Sequence, residues 1–89
     1  MKSAPDVIGA LTVTSRASAT AALRELTARH RGRIIASRDE SDATVVDVRL
    51  PRDQYAAFVA GLGAVGRWRA ERETADLPAE VGISVRLVP

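Results

Sequence analysis

Residues 66–73 read GRWRAERE, with Arg67, Arg69 and Glu71 on one phase and Trp68 and Ala70 on the other. An extended chain sends successive side chains to opposite faces of its sheet. As a strand, this segment must part its tryptophan from the flanking arginines. The same two-residue period recurs upstream. Val7, Gly9, Leu11 and Val13 alternate with Ile8, Ala10, Thr12 and Thr14, and Val46, Val48 and Leu50 alternate with Val45, Asp47 and Arg49. Strands patterned in this way build a sheet with one apolar and one polar face, and the apolar face needs a roof.

Two segments at helical period can supply it. SATAALRELTARHRG carries Ala19, Ala22, Leu23, Leu26 and His30 on one stripe, with Ser18 as the expected N-cap and Gly32 as the expected stop. RDQYAAFVAGLG, opened by Pro51, carries Tyr55, Phe58, Val59 and Leu62, with Gly63 as its expected stop. Between them, GRIIASRDESDATVVDVRLP predicts a hairpin: a strand over 33–37, a polar turn over 39–42 and a return strand over 44–50.

The tail repeats part of this pattern. GRIIASRDESDA aligns with GRWRAERETADL, putting Ile34 on Trp68, Ala36 on Ala70 and Asp42 on Asp76; VDVRLP then aligns with ISVRLVP, putting Val48 on Val85 and Arg49 on Arg86. A duplicated unit and chance in a strand-rich, arginine-biased chain both account for the match. In either case a second hairpin is expected after the second helix, and the element order is β-α-β-β-α-β-β. On this alignment Trp68, Ala36 and Ala70 face the helices.

That order, with right-handed crossovers, predicts an α+β fold: a ferredoxin-like split βαβ sandwich with two helices on one face of a mostly antiparallel four- to five-stranded sheet. The final strand is expected to extend an edge or to pair within the second hairpin. The uncovered face is expected to display Arg49, Arg67, Arg69 and Arg86, tempered by Asp47, Glu71, Thr12 and Thr14. These four arginines are the candidate interaction surface. The first strand of either hairpin is expected at a sheet edge, where a protein partner or a second copy could pair.

Composition narrows the function classes. At 89 residues the chain makes one domain with a single modest core. It has no cysteine, which removes disulfides, thiolate metal sites and thiol catalysis. Its pI of about 9.9 accompanies a net charge of only +2, with both signs mixed along the chain. An RNA-recognition sheet needs aromatic rings on its open face. Here Tyr55 and Phe58 lie on a helix and Trp68 faces inward, so no nucleic acid is expected as partner.

Catalytic signatures are equally sparse. His30, the one histidine, sits at a helix end between arginines, where the helix dipole favours it without any catalytic duty. GLGAVG, residues 61–66, follows a helix instead of opening one, unlike a phosphate loop. Asp39, Glu40 and Asp42 read as a charged hairpin turn, lacking the spacing of a calcium loop. An acylphosphatase-like site needs an asparagine, and the chain has none. No catalytic, cofactor-binding or metal-ligating residue is assigned, and the chain is not expected to be an enzyme.

The run from Asp6 to Ser37, followed by Leu50-Pro51, Tyr55, Phe58, Leu62-Gly63 and Val65, resembles the DUF4349-like lipoprotein family, an extracytoplasmic domain of bacterial membrane-anchored proteins. Arg67 to Asp76 stand where that family has its later strand, and the family's helical hairpin and membrane segment have no counterpart here. Similar small domains occur beyond the membrane span of anti-sigma factors. The resemblance implies a non-catalytic sensor or protein-interaction domain, periplasmic or otherwise extracytoplasmic, cut from a longer membrane-anchored protein and touching membrane only through segments outside these residues. The alternative expectation is a small cytoplasmic ligand-binding regulator of ferredoxin-like fold.

Overall fold

The computed structural model describes residues 5–89. Its elements are β1 (Val7–Thr12), α1 (Arg16–Arg29), β2 (Arg33–Asp39), β3 (Thr44–Pro51), a short 3-10 turn (Arg52–Gln54), α2 (Tyr55–Val65), β4 (Arg67–Glu73) and β5 (Glu80–Val88). The β-α-β-β-α-β-β order holds, and the fold is α+β with two helices and one mixed sheet. Val7, Leu11, Val46, Val48, Leu50 and alternate residues of β5 join Leu23, Phe58 and Leu62 in a single core between sheet and helices. Each such aliphatic side chain contributes about 1.5–3 kcal/mol on burial.

The strand order is β2-β3-β5-β1-β4. The last strand neither extends an edge nor pairs with β4. It lies at the centre, antiparallel to β3 and parallel to β1. The reason is hydrophobic: Val81, Ile83, Val85 and Leu87 are all essentially inaccessible to solvent, which demands a neighbour on either flank. An edge position would leave this row half wet. β4, with Arg67, Arg69, Glu71, Arg72 and Glu73 exposed, suits the edge instead.

The chain reaches the centre by crossing beneath β1, and Asp6 is the post it winds around. The N–H and hydroxyl of Thr74 both donate to the Asp6 carbonyl, at 3.0 and 2.9 Å. The Asp6 carboxylate accepts from the N–H of Gly82 at 2.9 Å, and the Asp6 N–H donates to the Gly82 carbonyl at 2.8 Å. Farther along, Arg52 donates to the carbonyls of Leu77 and Ala79, while Leu77 packs against the core.

The helices depart from the expected boundaries at their ends. Ser15 caps α1, its hydroxyl accepting from the N–H of Ser18 at 3.3 Å, so Ser18 is the capped residue and not the cap. Pro51 closes β3 instead of opening α2, and the 3-10 turn intervenes. α2 runs through Gly61 and Gly63 to Val65 because Leu62 and Val65 still pack inward, and Gly66 ends it. The segment 61–66 is thus helix and cap, with no loop to hold phosphate.

At the end of α1 the αL position of a Schellman turn falls to Arg31, with φ 60°. The N–H of Gly32 donates to the Thr27 carbonyl and that of Arg31 to the Ala28 carbonyl. The glycine cannot take the left-handed place because it is needed one residue later. A Cβ on Gly32 would lie 2.8 Å from the Arg49 carbonyl oxygen and 3.1 Å from the Leu50 Cβ. Close approach to β3 claims the glycine, and the arginine bears the turn.

Two stability changes follow, both readable by urea unfolding. Asp6→Ala should cost about 1–3 kcal/mol, because it leaves the part-buried Gly82 N–H of β5 without its acceptor. Arg31→Gly should raise stability by about 0.5–1 kcal/mol, by relieving the left-handed backbone. An unchanged midpoint in the first variant would remove Asp6 from its anchoring role.

Candidate interaction surface

The register of the sheet decides which side chains share the uncovered face. Leu11 pairs with Trp68 and Gly9 with Ala70, so Trp68 and Ala70 stand on the helix side, as alternation requires. The indole lies across Gly9: a Cβ there would come within 2.4 Å of the ring. A glycine beside an aromatic neighbour on the adjacent strand lets the ring lie flat on the backbone and exclude water from it. Tyr55 and Phe58 also belong to the helix side, on α2.

On the opposite face the rows can be read across the strands. One runs Arg38, Val45, Arg86, Ala10, Arg69; another pairs Arg33 with Arg49; a third joins Thr12 to both Val88 and Arg67. The four arginines of the expected surface, Arg49, Arg67, Arg69 and Arg86, therefore stand on one face. Sequence reasoning missed three more there: Arg33, Arg38 and Arg72, the last paired with Ile8. Thr14, expected among them, lies beyond β1 and lines a depression of about 400 Å³ between α1 and α2.

Two β-bulges account for Arg38 and Arg72. The register slips at Ile35 on β2 and at Glu71 on β4. An extra residue reverses the facing of everything after it. Beyond the first bulge Ala36 pairs with Asp47 and faces outward, so its alignment with the inward Ala70 fails. Beyond the second, Arg72 joins the arginine face, while Glu73 pairs with Val7 and turns towards Tyr55. Neither bulge contains a glycine that would have announced it.

The face has an apolar floor. Val45 was expected outside with Asp47 and Arg49, yet it is only 7 % exposed and does not belong to the main core. Arg38 and Arg86 flank it in register, and their aliphatic stems cover it while the guanidinium groups reach water. Ile8 and Ala10 continue the floor as half-buried residues. Ile35, in the β2 bulge, is the one large hydrophobic side chain substantially exposed among the described residues.

Charge is unevenly compensated. Glu80 bridges Arg33 and Arg49 at 3.8 and 3.4 Å, relieving a like-charge cross-strand pair. Glu71 holds Arg86 at 3.5 Å, and Glu40 holds Arg38 at 3.5 Å. Such exposed pairs contribute about 0.2–1 kcal/mol each. Among the described residues no ion pair reaches Arg67, Arg69 or Arg72. All three are on β4.

The remaining polar groups of interest are engaged structurally. His30, expected on the buried stripe of α1, is its half-buried C-cap. Its Nδ1 donates to Gln54 Oε1 at 3.0 Å, and its ring meets Phe58 edge-on at 6.3 Å. In the acidic turn, Asp39 accepts from the Thr44 hydroxyl and Glu40 pairs with Arg38. No three His, Asp or Glu side chains converge among the described residues. No helix among them is long and apolar enough to cross a membrane. Compared with known proteins, the chain matches no family model, no curated protein and no solved structure.

Among the described residues, Tyr55 is the one whose titration is clearly shifted. Burial, with the Glu73 carboxylate adding to it, raises its phenol above the ordinary 10.0. Below that value the group is protonated in folded and unfolded chains alike, and its contribution is complete. As pH rises from the unfolded value through the folded one, the unfolded chain ionises first and stability falls. Unfolding midpoints measured across this alkaline range should drop in the parent, and the drop should be smaller in Tyr55→Phe; identical slopes would contradict the assignment.

Proposed function

We propose that this chain is a non-catalytic protein-interaction domain that binds an acidic partner through the arginine face of its sheet. The finer architecture belongs to the same proposal: a ferredoxin-like sandwich, β4-β1-β3-β2, into whose centre β5 has been inserted. The setting implied by the resemblance, outside the cytoplasm on a bacterial membrane-anchored protein of anti-sigma type, completes the reading.

The observation that carries it is the segregation of the two faces. Arginine outnumbers carboxylate on the uncovered side, and Ile8, Ala10 and Val45 lie beneath as a floor. Guanidinium groups over apolar ground suit protein carboxylates, since the fork offers two parallel hydrogen bonds and the stem packs. The aromatic rings are all on the other side of the sheet. A nucleic-acid platform would want them on this one.

The test uses poly-glutamate as the acidic probe, with backbone amide shifts recorded by NMR. Shifts should map to the uncovered residues of β1, β4 and β5 and weaken as salt rises. In an Arg67→Glu/Arg69→Glu variant, at two arginines with no ion pair among the described residues, they should vanish, while stability changes by no more than about 0.5 kcal/mol for each surface substitution. Shifts on the helix layer, absent binding, or tighter binding of a single-stranded RNA of equal charge would each overturn the reading.

A further inference from the structure

We infer that the acidic partner docks as an extended strand on the free edge of β4, adding a sixth strand to the sheet; the inference rests on the reading just given. The sheet has two edges, β2 and β4. Both present backbone N–H and C=O groups to solvent, and both are interrupted by a bulge. They differ in charge. On β2, Arg38 pairs with Glu40, and Arg33 shares Glu80 with Arg49. On β4, Arg67, Arg69 and Arg72 have no carboxylate within reach among the described residues. Among the described residues, the edge arginines that lack any ion pair are therefore all on β4.

The geometry matches an incoming strand in period. Arg67 and Arg69 are two residues apart on the same face, about 6.8 Å along the strand. A partner strand with acidic side chains at every second position sets each carboxylate beside a guanidinium, while its backbone completes the ladder. Backbone bonds give affinity in this mode, and the alternate side chains give selectivity. The regular stretch from Arg67 to Ala70 is the docking length, because the bulge at Glu71 ends it.

A second copy of the chain is a poorer occupant, for a reason specific to this strand. Paired antiparallel about Ala70, RWRAERE would set Arg67 against Glu73 and Arg69 against Glu71, a self-complementary pattern. The bulge spoils it. Glu73 faces the helix side, opposite to Arg67, and Glu71 is held by Arg86. Like-facing pairs are what an antiparallel ladder requires.

A capped peptide of alternating glutamate and valine is the probe, with Trp68 fluorescence as the reporter. A second peptide of the same sequence is N-methylated at alternate residues, so its charge is intact but its ladder is blocked. The expected result is at least tenfold weaker binding of the methylated peptide. Slowed hydrogen exchange of β4 amides and loss of binding in Arg67→Glu/Arg69→Glu should accompany it. Equal binding of the two peptides would overturn strand addition while leaving the acid-binding face intact. Failure of both peptides, protection of β2 in place of β4, or concentration-dependent dimerisation with no peptide effect would overturn the inference too.

Discussion

The burial of β5 between β3 and β1 is the constraint on which the rest of the molecule depends. Its four inward side chains have no solvent contact, and they form the middle of the core against which Leu23, Phe58 and Leu62 close. On either side of it lies one antiparallel pair, β2-β3 and β1-β4. Within the sheet neither pair is hydrogen-bonded to the other; both are hydrogen-bonded to this strand. A polar substitution at Ile83 or Val85 would therefore strike both halves together, whereas the same change on β2 would strike one.

Central placement also sets the electrostatics. With β5 in the middle, β2 and β4 are left as edges, and these carry most of the charged residues of the sheet. Glu80, at the start of β5, is brought between Arg33 and Arg49, which otherwise confront each other across β2 and β3. Glu71 reaches Arg86 across β1. Among the described residues, the sheet arginines with no ion pair, Arg67, Arg69 and Arg72, are all on β4. The uneven charge of the two edges is thus a product of strand order and not of composition, since the chain as a whole is nearly balanced.

Much of this was legible in the residues, for a local reason. Alternation is a property of neighbouring side chains, so the inward Trp68, the core phases of β1 and β3 and the four arginines Arg49, Arg67, Arg69 and Arg86 on one face could be read directly. What could not be read depends on distant partners. The neighbours of β5 are chosen by burial on both flanks, which no local period encodes. The bulges at Ile35 and Glu71 lack a glycine or proline signal, and so the facing of Ala36, Arg72 and Glu73 was hidden. Val45 looked exposed because the stems that cover it arrive from β2 and β5. Ser15 and Pro51 show that caps can shift while the helix between them stays where its apolar stripe puts it.

The order in which the strands are numbered differs from the order in which they touch, and this bears on how the molecule comes to exist. As the polypeptide leaves the ribosome, the segment that unites the sheet emerges last of the five. Until then the native pairings open to the earlier strands are β2 with β3 and β1 with β4. Contacts so far apart in sequence close slowly and expose sticky intermediates to their surroundings. In vectorial synthesis of this topology the two native pairs can join through β5 only after all four earlier strands have emerged.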